Sequence, residues 1–93
     1  MPVEVRLPTL LRPAAGGAPS ATVDGSTVGE VLHSLEAVHP GLAGQVLTDD
    51  GSLHRFVNVY LNDDDVRYLE KLATKVGDGD IVSILPAVAG GAV

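Results

Sequence analysis

Between Thr27 and Pro40 the chain carries its one long run of helical periodicity, and this constrains the fold more than any other feature. Val28, Val31, Leu32, Leu35 and Val38 recur at helical spacing, with Glu30, Ser34 and Glu36 mainly off the stripe. Thr27 and Glu30 fit a capping box, in which hydroxyl and carboxylate satisfy free backbone N–H groups reciprocally. Pro40-Gly41 predicts the end, because proline lacks a donor and glycine tolerates positive φ. One helix of roughly three turns cannot bury an apolar face by itself. It needs a sheet to lie on.

The remaining apolar residues supply that sheet. Val3, Val5 and Leu7 alternate with Glu4 and Arg6, the period-2 signature of a half-buried strand. A short strand is expected over residues 20–24, with Ala21 and Val23 inward. Val57, Val59 and Leu61 alternate with Phe56, Asn58 and Tyr60 in the strongest strand, and residues 81–85 form a last, β-branched one. Residues 8–19 hold Pro13, Gly16, Gly17 and Pro19 and read as a loop or a loose hairpin connection. Residues 42–47 suggest a short helical turn that tucks Leu42, Val46 and Leu47 under the core, followed by an exposed loop over 48–52. Asn62-Asp63-Asp64-Asp65 reads as an acidic turn, residues 66–68 as a very short strand, and Leu69, Leu72, Ala73 and Val76 as a marginal helical or irregular segment. Gly77-Asp78-Gly79-Asp80 is a turn that delivers the last strand. The first and last strands are apolar and free of internal proline, so both have central-strand character and can pair in parallel with the helix as crossover. The expected class is α+β: a mixed β-sheet packed against one main helix, with a domain over residues 1–86 and a flexible C-terminal tail over residues 87–93.

Composition narrows the function. At 93 residues the chain is one domain. It buries about 60–65% of its unfolded surface, enough for one core and not for a deep enclosed active site. Phe56, Tyr60 and Tyr68 are its only aromatics, so Val, Leu, Ile and Ala must build the interior. Twelve acids against six bases give a net charge of −6. Phosphate binding needs clustered Lys and Arg, so that balance argues against nucleic acid, and equally against an anionic membrane surface. The absence of cysteine removes disulfides, thiolate metal sites and a thiol nucleophile. No apolar stretch approaches the roughly 20 residues that span a bilayer. Met1-Pro2-Val3-Glu4 lacks a basic, apolar leader, which makes the cytoplasm the expected compartment.

Catalytic constellations are not evident. His33, His39 and His54 show no metal-ligand spacing. The serines have no nucleophile elbow. Asp63-Asp64-Asp65 lacks the alternating ligands of a calcium loop, and Gly77-Asp78-Gly79-Asp80 lacks the lysine of a phosphate loop. Neither a metal nor another cofactor is expected.

The C-terminus is the unusual segment. An apolar strand ends at Leu85, Pro86 stops it, and Val88, Ala89, Gly90 and Gly91 follow with little side chain to obstruct an enzyme cleft. Glycine lets backbone lie extended in a narrow channel and leaves its carbonyl open to attack. A frayed terminus is the plain alternative.

Asp78-Gly79-Asp80-Ile81-Val82-Ser83-Ile84-Leu85-Pro86-Ala87-Val88-Ala89-Gly90-Gly91 resembles the terminal signature of the ThiS and MoaD family of ubiquitin-like β-grasp sulfur carriers. Thr27-Val28-Gly29-Glu30-Val31-Leu32 resembles that family's helix start. Leu53-His54-Arg55-Phe56-Val57-Asn58-Val59-Tyr60-Leu61-Asn62 resembles its third strand, closest to the CysO branch. The likeness runs from about Val3 to Gly91. It implies a carrier and not an enzyme. An E1-like adenylating enzyme of the MoeB, ThiF or MoeZ type would activate the Gly91 carboxylate with ATP, and a sulfur donor would convert it to a thiocarboxylate. In the CysO branch the sulfur passes to a pyridoxal-phosphate-dependent cysteine synthase, and a JAMM-type metalloprotease then frees cysteine. Molybdopterin, thiamin and sulfur-containing secondary metabolites stay open as end products.

Ala92-Val93 departs from this pattern, because an amide-linked Gly91 has no free carboxylate. Cleavage between Gly91 and Ala92 is therefore expected first. Phe56, Tyr60 and Leu85 are candidates for a docking face away from the helix, joined by Val88 and Ala89 of the tail; the competing expectation packs those three under residues 8–19. A ubiquitin-like modifier joined through Gly91, and an adaptor with an inert tail, are the rival readings.

Overall fold

The computed structural model describes residues 2–55 and 57–86. Its strands are β1 (Pro2–Arg6), β2 (Ser20–Asp24), β3 (Val57–Leu61), β4 (Asp64–Asp65) and β5 (Ile81–Pro86), with one helix, α1 (Val28–Val38). They form one sheet in the order β2-β1-β5-β3-β4. β1 and β5 run parallel at its centre and the other pairs are antiparallel. The alternation read from the sequence explains the layering. Val3, Val5, Val23, Val57, Val59, Val82 and Ile84 point into one core with Val28, Val31, Leu32 and Leu35 of α1. Each such side chain contributes about 1.5–3 kcal/mol on full burial. The sheet thus grips the helix, as in a β-grasp.

α1 starts as a capped helix, with a difference in detail. The Thr27 hydroxyl accepts from Glu30 N–H at 3.2 Å, but the Glu30 carboxylate accepts from Ser26 N–H at 2.8 Å, one residue before the cap. Thr27 is otherwise engaged, in a backbone bridge with Lys75, and Val28 N–H donates to Thr74 O at 2.9 Å. The helix start is thereby tied to residues 74–76. Val38 does not join the core and is 58% exposed. At 100° per residue it lies roughly 70° from the centre of the stripe. Leu42, in the 3-10 turn Pro40–Leu42, fills the interior instead.

Two connections differ from expectation. Residues 8–19 contain a seven-residue 3-10 helix, Thr9–Ala15, that buries Leu11 and Ala15. The Arg12 side chain donates from Nε to Leu7 O at 3.2 Å, fastening this helix to the end of β1. The short strand expected over 66–68 is instead a 3-10 turn, and the acidic residues before it make the strand, β4. Asp65 decides this: its Oδ1 accepts from Arg67 N–H at 2.9 Å and caps the turn, while Val66 goes into the core. The irregular reading of the next segment becomes a single 3-10 turn, Lys71–Ala73.

The entry to β5 is locked by side chains. Asn62, at φ 56°, accepts on Oδ1 from Ile81 N–H at 3.1 Å and donates its own N–H to Ile81 O at 2.7 Å. Asp80 Oδ2 accepts from Gly77 N–H at 2.9 Å. Asparagine is among the few residues that tolerate this left-handed backbone.

Candidate functional site

β5 is the last element among the described residues, and it is held on both sides. Its registers are Val5↔Val82 with β1 and Val57↔Pro86 through Leu61↔Val82 with β3. The root of the tail is therefore fixed to the centre of the sheet, with ladder pairing continuing as far as Pro86. Of the residues expected to function, Phe56, Val88, Ala89, Gly90, Gly91 and Ala92 lie outside the described residues. Tyr60 and Leu85 are described and share one face.

Strand parity shows how. Val57 and Val59 are buried on the helix side, so Asn58 and Tyr60 face away; Val82 and Ile84 are buried, so Ser83 and Leu85 face away. Tyr60 stands opposite Ser83, and Leu85 opposite Asn58. Tyr60 and Leu85 are thus diagonal neighbours on the outer face, a spacing of about 7–8 Å. Arg6 is level with Ser83 on the other flank, and Asp65 level with Tyr60, so the row Arg6-Ser83-Tyr60-Asp65 crosses four strands. Leu85 is 44% exposed and Tyr60 half-buried.

Both expectations for Leu85 meet here. It faces outward, and it also lies beside the 3-10 helix of residues 9–15. An open groove of about 710 Å³ runs between that helix and the end of β5, lined by Arg6, Pro8, Leu10, Arg12, Leu85 and Pro86 among others. Leu10 is 62% exposed. With Leu85 it makes an apolar pair at the tail root, flanked by two guanidinium groups. Leu10 and Pro8 were not identified from the sequence. The available signal was the Leu10-Leu11 doublet in a Pro- and Gly-rich stretch: Leu11 faces the core, which turns its neighbour outward.

The arrangement offers a surface on which a partner could dock. Among the described residues no three His, Asp or Glu side chains gather to hold a metal. His33, His39 and His54 are dispersed over α1, its end and the approach to β3. Asp50 is held below the usual carboxylate range by the Thr48 hydroxyl and then by the backbone of Ser52, but it sits in the turn over residues 48–52. No helix among the described residues is long and apolar enough to cross a membrane.

Comparison with known proteins agrees with this geometry. The ThiS family model matches residues 5–91. Sulfur carrier protein CysO of Mycobacterium tuberculosis is 50% identical over 93 residues, covering 98% of this chain and all of the relative. A chain of the Amycolatopsis orientalis BexX/CysO complex superposes with a TM-score of 0.86 at 46% identity, covering 96% of this chain and 99% of that one. Small archaeal modifier protein 3 of Haloferax volcanii is 50% identical over 68 residues, 73% of each chain. The fold is the ubiquitin-like β-grasp, and the chain belongs to the ThiS family, with the sulfur carrier protein CysO among its relatives.

Proposed function

We propose that this chain is a sulfur carrier, a protein co-substrate rather than an enzyme. A protease removes Ala92-Val93. An E1-like adenylating enzyme then takes the freed Gly91 into its cleft. The carboxylate attacks the α-phosphorus of ATP and releases pyrophosphate; a sulfur nucleophile displaces AMP and leaves a thiocarboxylate. On an accepting enzyme of the pyridoxal-phosphate cysteine synthase type the thiocarboxylate sulfur bonds to the acceptor, so that the cysteine formed stays joined to the Gly91 carbonyl; a JAMM-type metalloprotease hydrolyses that link, releasing cysteine and restoring the Gly91 carboxylate, and the cycle runs in the cytoplasm. The carrying observation is the likeness to the CysO relative along essentially the whole chain, together with a family match that reaches residue 91 and stops before Ala92. The geometry supports it: β5 is paired on both sides, with β3 as far as Pro86, and the exposed Leu10 and Leu85 line one groove beside its end. That a CysO chain occurs in a complex with BexX supports a carrier that docks on a partner protein.

The likeness to a small archaeal modifier protein favours one second reading, conjugation of Gly91 to lysines of target proteins. Intact mass of the protein from its native cells separates the two. The carrier reading expects a chain ending at Gly91, part of it with sulfur in place of a carboxylate oxygen. Lysine adducts without thiocarboxylate would establish the modifier. A chain uniformly ending at Val93 would reject both.

A further inference from the structure

The six basic residues of this −6 chain are not scattered. Arg6 and Arg12 line the groove beside β5. Arg55, Arg67 and Lys71 line a second one, with His54, over an apolar floor that includes Val57 and Leu72. Only Lys75 lies outside both, and neither lining contains an Asp or Glu. In an acidic chain, five of six cations thus line two grooves.

The second groove is close to the tail root. Val57, in its floor, is the register partner of Pro86. Its side chain points to the helix side, and Leu72 packs on the core near Gly29 of α1. The groove therefore lies alongside β3, and it shares no lining residue with the groove beside β5 that holds Leu85. The surface next to the groove has features of a contact surface. Tyr68 is 88% exposed, and it sits beside Arg67 in the same 3-10 turn; Tyr and Arg are the residues that most often dominate protein interfaces. Lys71 is held at φ 53°, a strained conformation for a residue with a side chain, and strain of this kind concentrates where a residue is held for function. Asp65 Oδ1 lies 3.6 Å from Arg67 Nε. The Arg67 side chain nonetheless stays half-exposed.

We propose that this groove docks an acidic segment bordering the tail-accepting cleft of the adenylating enzyme, a second contact distinct from the outer face of the sheet. This rests on the carrier reading above. Carboxylates of the partner pair with Arg67 and Lys71 while an apolar side chain enters over Val57 and Leu72. The otherwise acidic surface repels the same partner in wrong orientations, so the basic groove sets the direction in which the tail is presented.

The test is the Kd of the full chain for the adenylating enzyme of the same cells, by calorimetry at low and physiological salt. Arg67→Gln combined with Lys71→Glu should weaken binding on the order of tenfold at low salt, with the difference shrinking as salt rises. Lys75→Glu, outside the groove, should bind as wild type does. Lys71→Glu alone carries the test if loss of the Arg67–Asp65 pair lowers Tm. Equal affinities for wild type and the groove variants, or equal weakening by Lys75→Glu, overturn the assignment while leaving the carrier reading intact. Abolition of the difference by inorganic phosphate at matched ionic strength would make the groove a small-anion site. Wild-type dimers in sedimentation that the groove variants lose would make it a self-association surface; either result overturns the proposal. If wild type does not bind, ending at Val93 or at Gly91, the carrier reading falls and this inference with it.

Discussion

Asn58 stands directly opposite Leu85 across the β3–β5 ladder, and its Oδ1 is buried with no hydrogen-bond partner. A buried acceptor left unpaired costs about 1–3 kcal/mol. Here it lies on the outer face, next to the apolar side chain nearest the tail root. Asn58→Val removes the orphan acceptor and suits a strand. We expect it to raise stability by about 1 kcal/mol, or roughly 4–8 °C in Tm for a domain this size. The same change should weaken binding to a partner that covers this face, if the partner supplies the missing donor. Thermal melts and a binding isotherm on one protein preparation check both halves.

Leu85→Ala tests the outer face directly, and Phe56→Ala tests the expectation that Phe56 belongs to it. For Leu85, much of whose side chain is already in solvent, the loss of stability should stay below about 1 kcal/mol while affinity for the adenylating enzyme drops. Phe56→Ala is expected to behave in the same way. A loss of stability typical of a buried Phe→Ala change, about 3–5 kcal/mol, would place that side chain in the core instead.

The Thr27 hydroxyl is the side-chain cap of α1. Thr27→Ala removes the acceptor for Glu30 N–H and should cost about 1 kcal/mol in urea unfolding. Thr27→Ser keeps the oxygen and should recover most of the loss. Equal destabilisation by both would place the cost in the γ-methyl group that both variants lose, not in the cap.

Gly41 shows how closely the two 3-10 helices pack. A Cβ at this position would meet the carbonyl oxygen of Ala14 at 2.7 Å, and backbone cannot swing aside as a side chain can. Gly41→Ala should destabilise by about 1–3 kcal/mol through forced separation of the segments. Hydrogen exchange should then rise at Leu11 and Ala15 first, because the helix carrying them would be the part displaced.

Asp50 sets an acid limit on one loop. Its carboxyl is held below the ordinary value of 3.8, chiefly by the Thr48 hydroxyl, with the Ser52 backbone next. A depressed folded-state pKa gives stability that is present above the unfolded value and lost as pH falls through the folded one. The loop over residues 48–52 should therefore keep its structure at neutral pH and loosen below about pH 3.8. Asp50→Asn should show a smaller acid response of the Ser52 amide in NMR. An unchanged response would mean that the carboxylate does not hold the turn.

Much of this molecule was legible before its structure. Period-2 alternation in Val3-Val5, Val57-Val59 and Val82-Ile84 assigned each strand a core face, because a strand has only two faces to choose from. The stripe from Val28 to Leu35 did the same for the helix. The parallel pairing of the first and last strands followed from their apolar character and lack of internal proline. The diglycine and the apolar strand before it carried the family resemblance, because that signature depends on residue identity and not on packing. What the sequence left open has a common cause: those segments have no long period. The 3-10 helix at residues 9–15 holds only two buried side chains, Leu11 and Ala15, too few for a repeat to show. β4 is two aspartates, and only their place beside Tyr60 and Leu61 makes them a strand. Val38 fits the helical spacing yet faces solvent, because the chain turns at Pro40 and brings Leu42 into that space. The gathering of Arg55, Arg67 and Lys71 could not be read along the chain at all, since residues far apart in sequence meet only when the turns after β4 fold back along the edge of β3. Local periodicity fixes which face a residue takes; only the closed sheet decides which distant residues become neighbours.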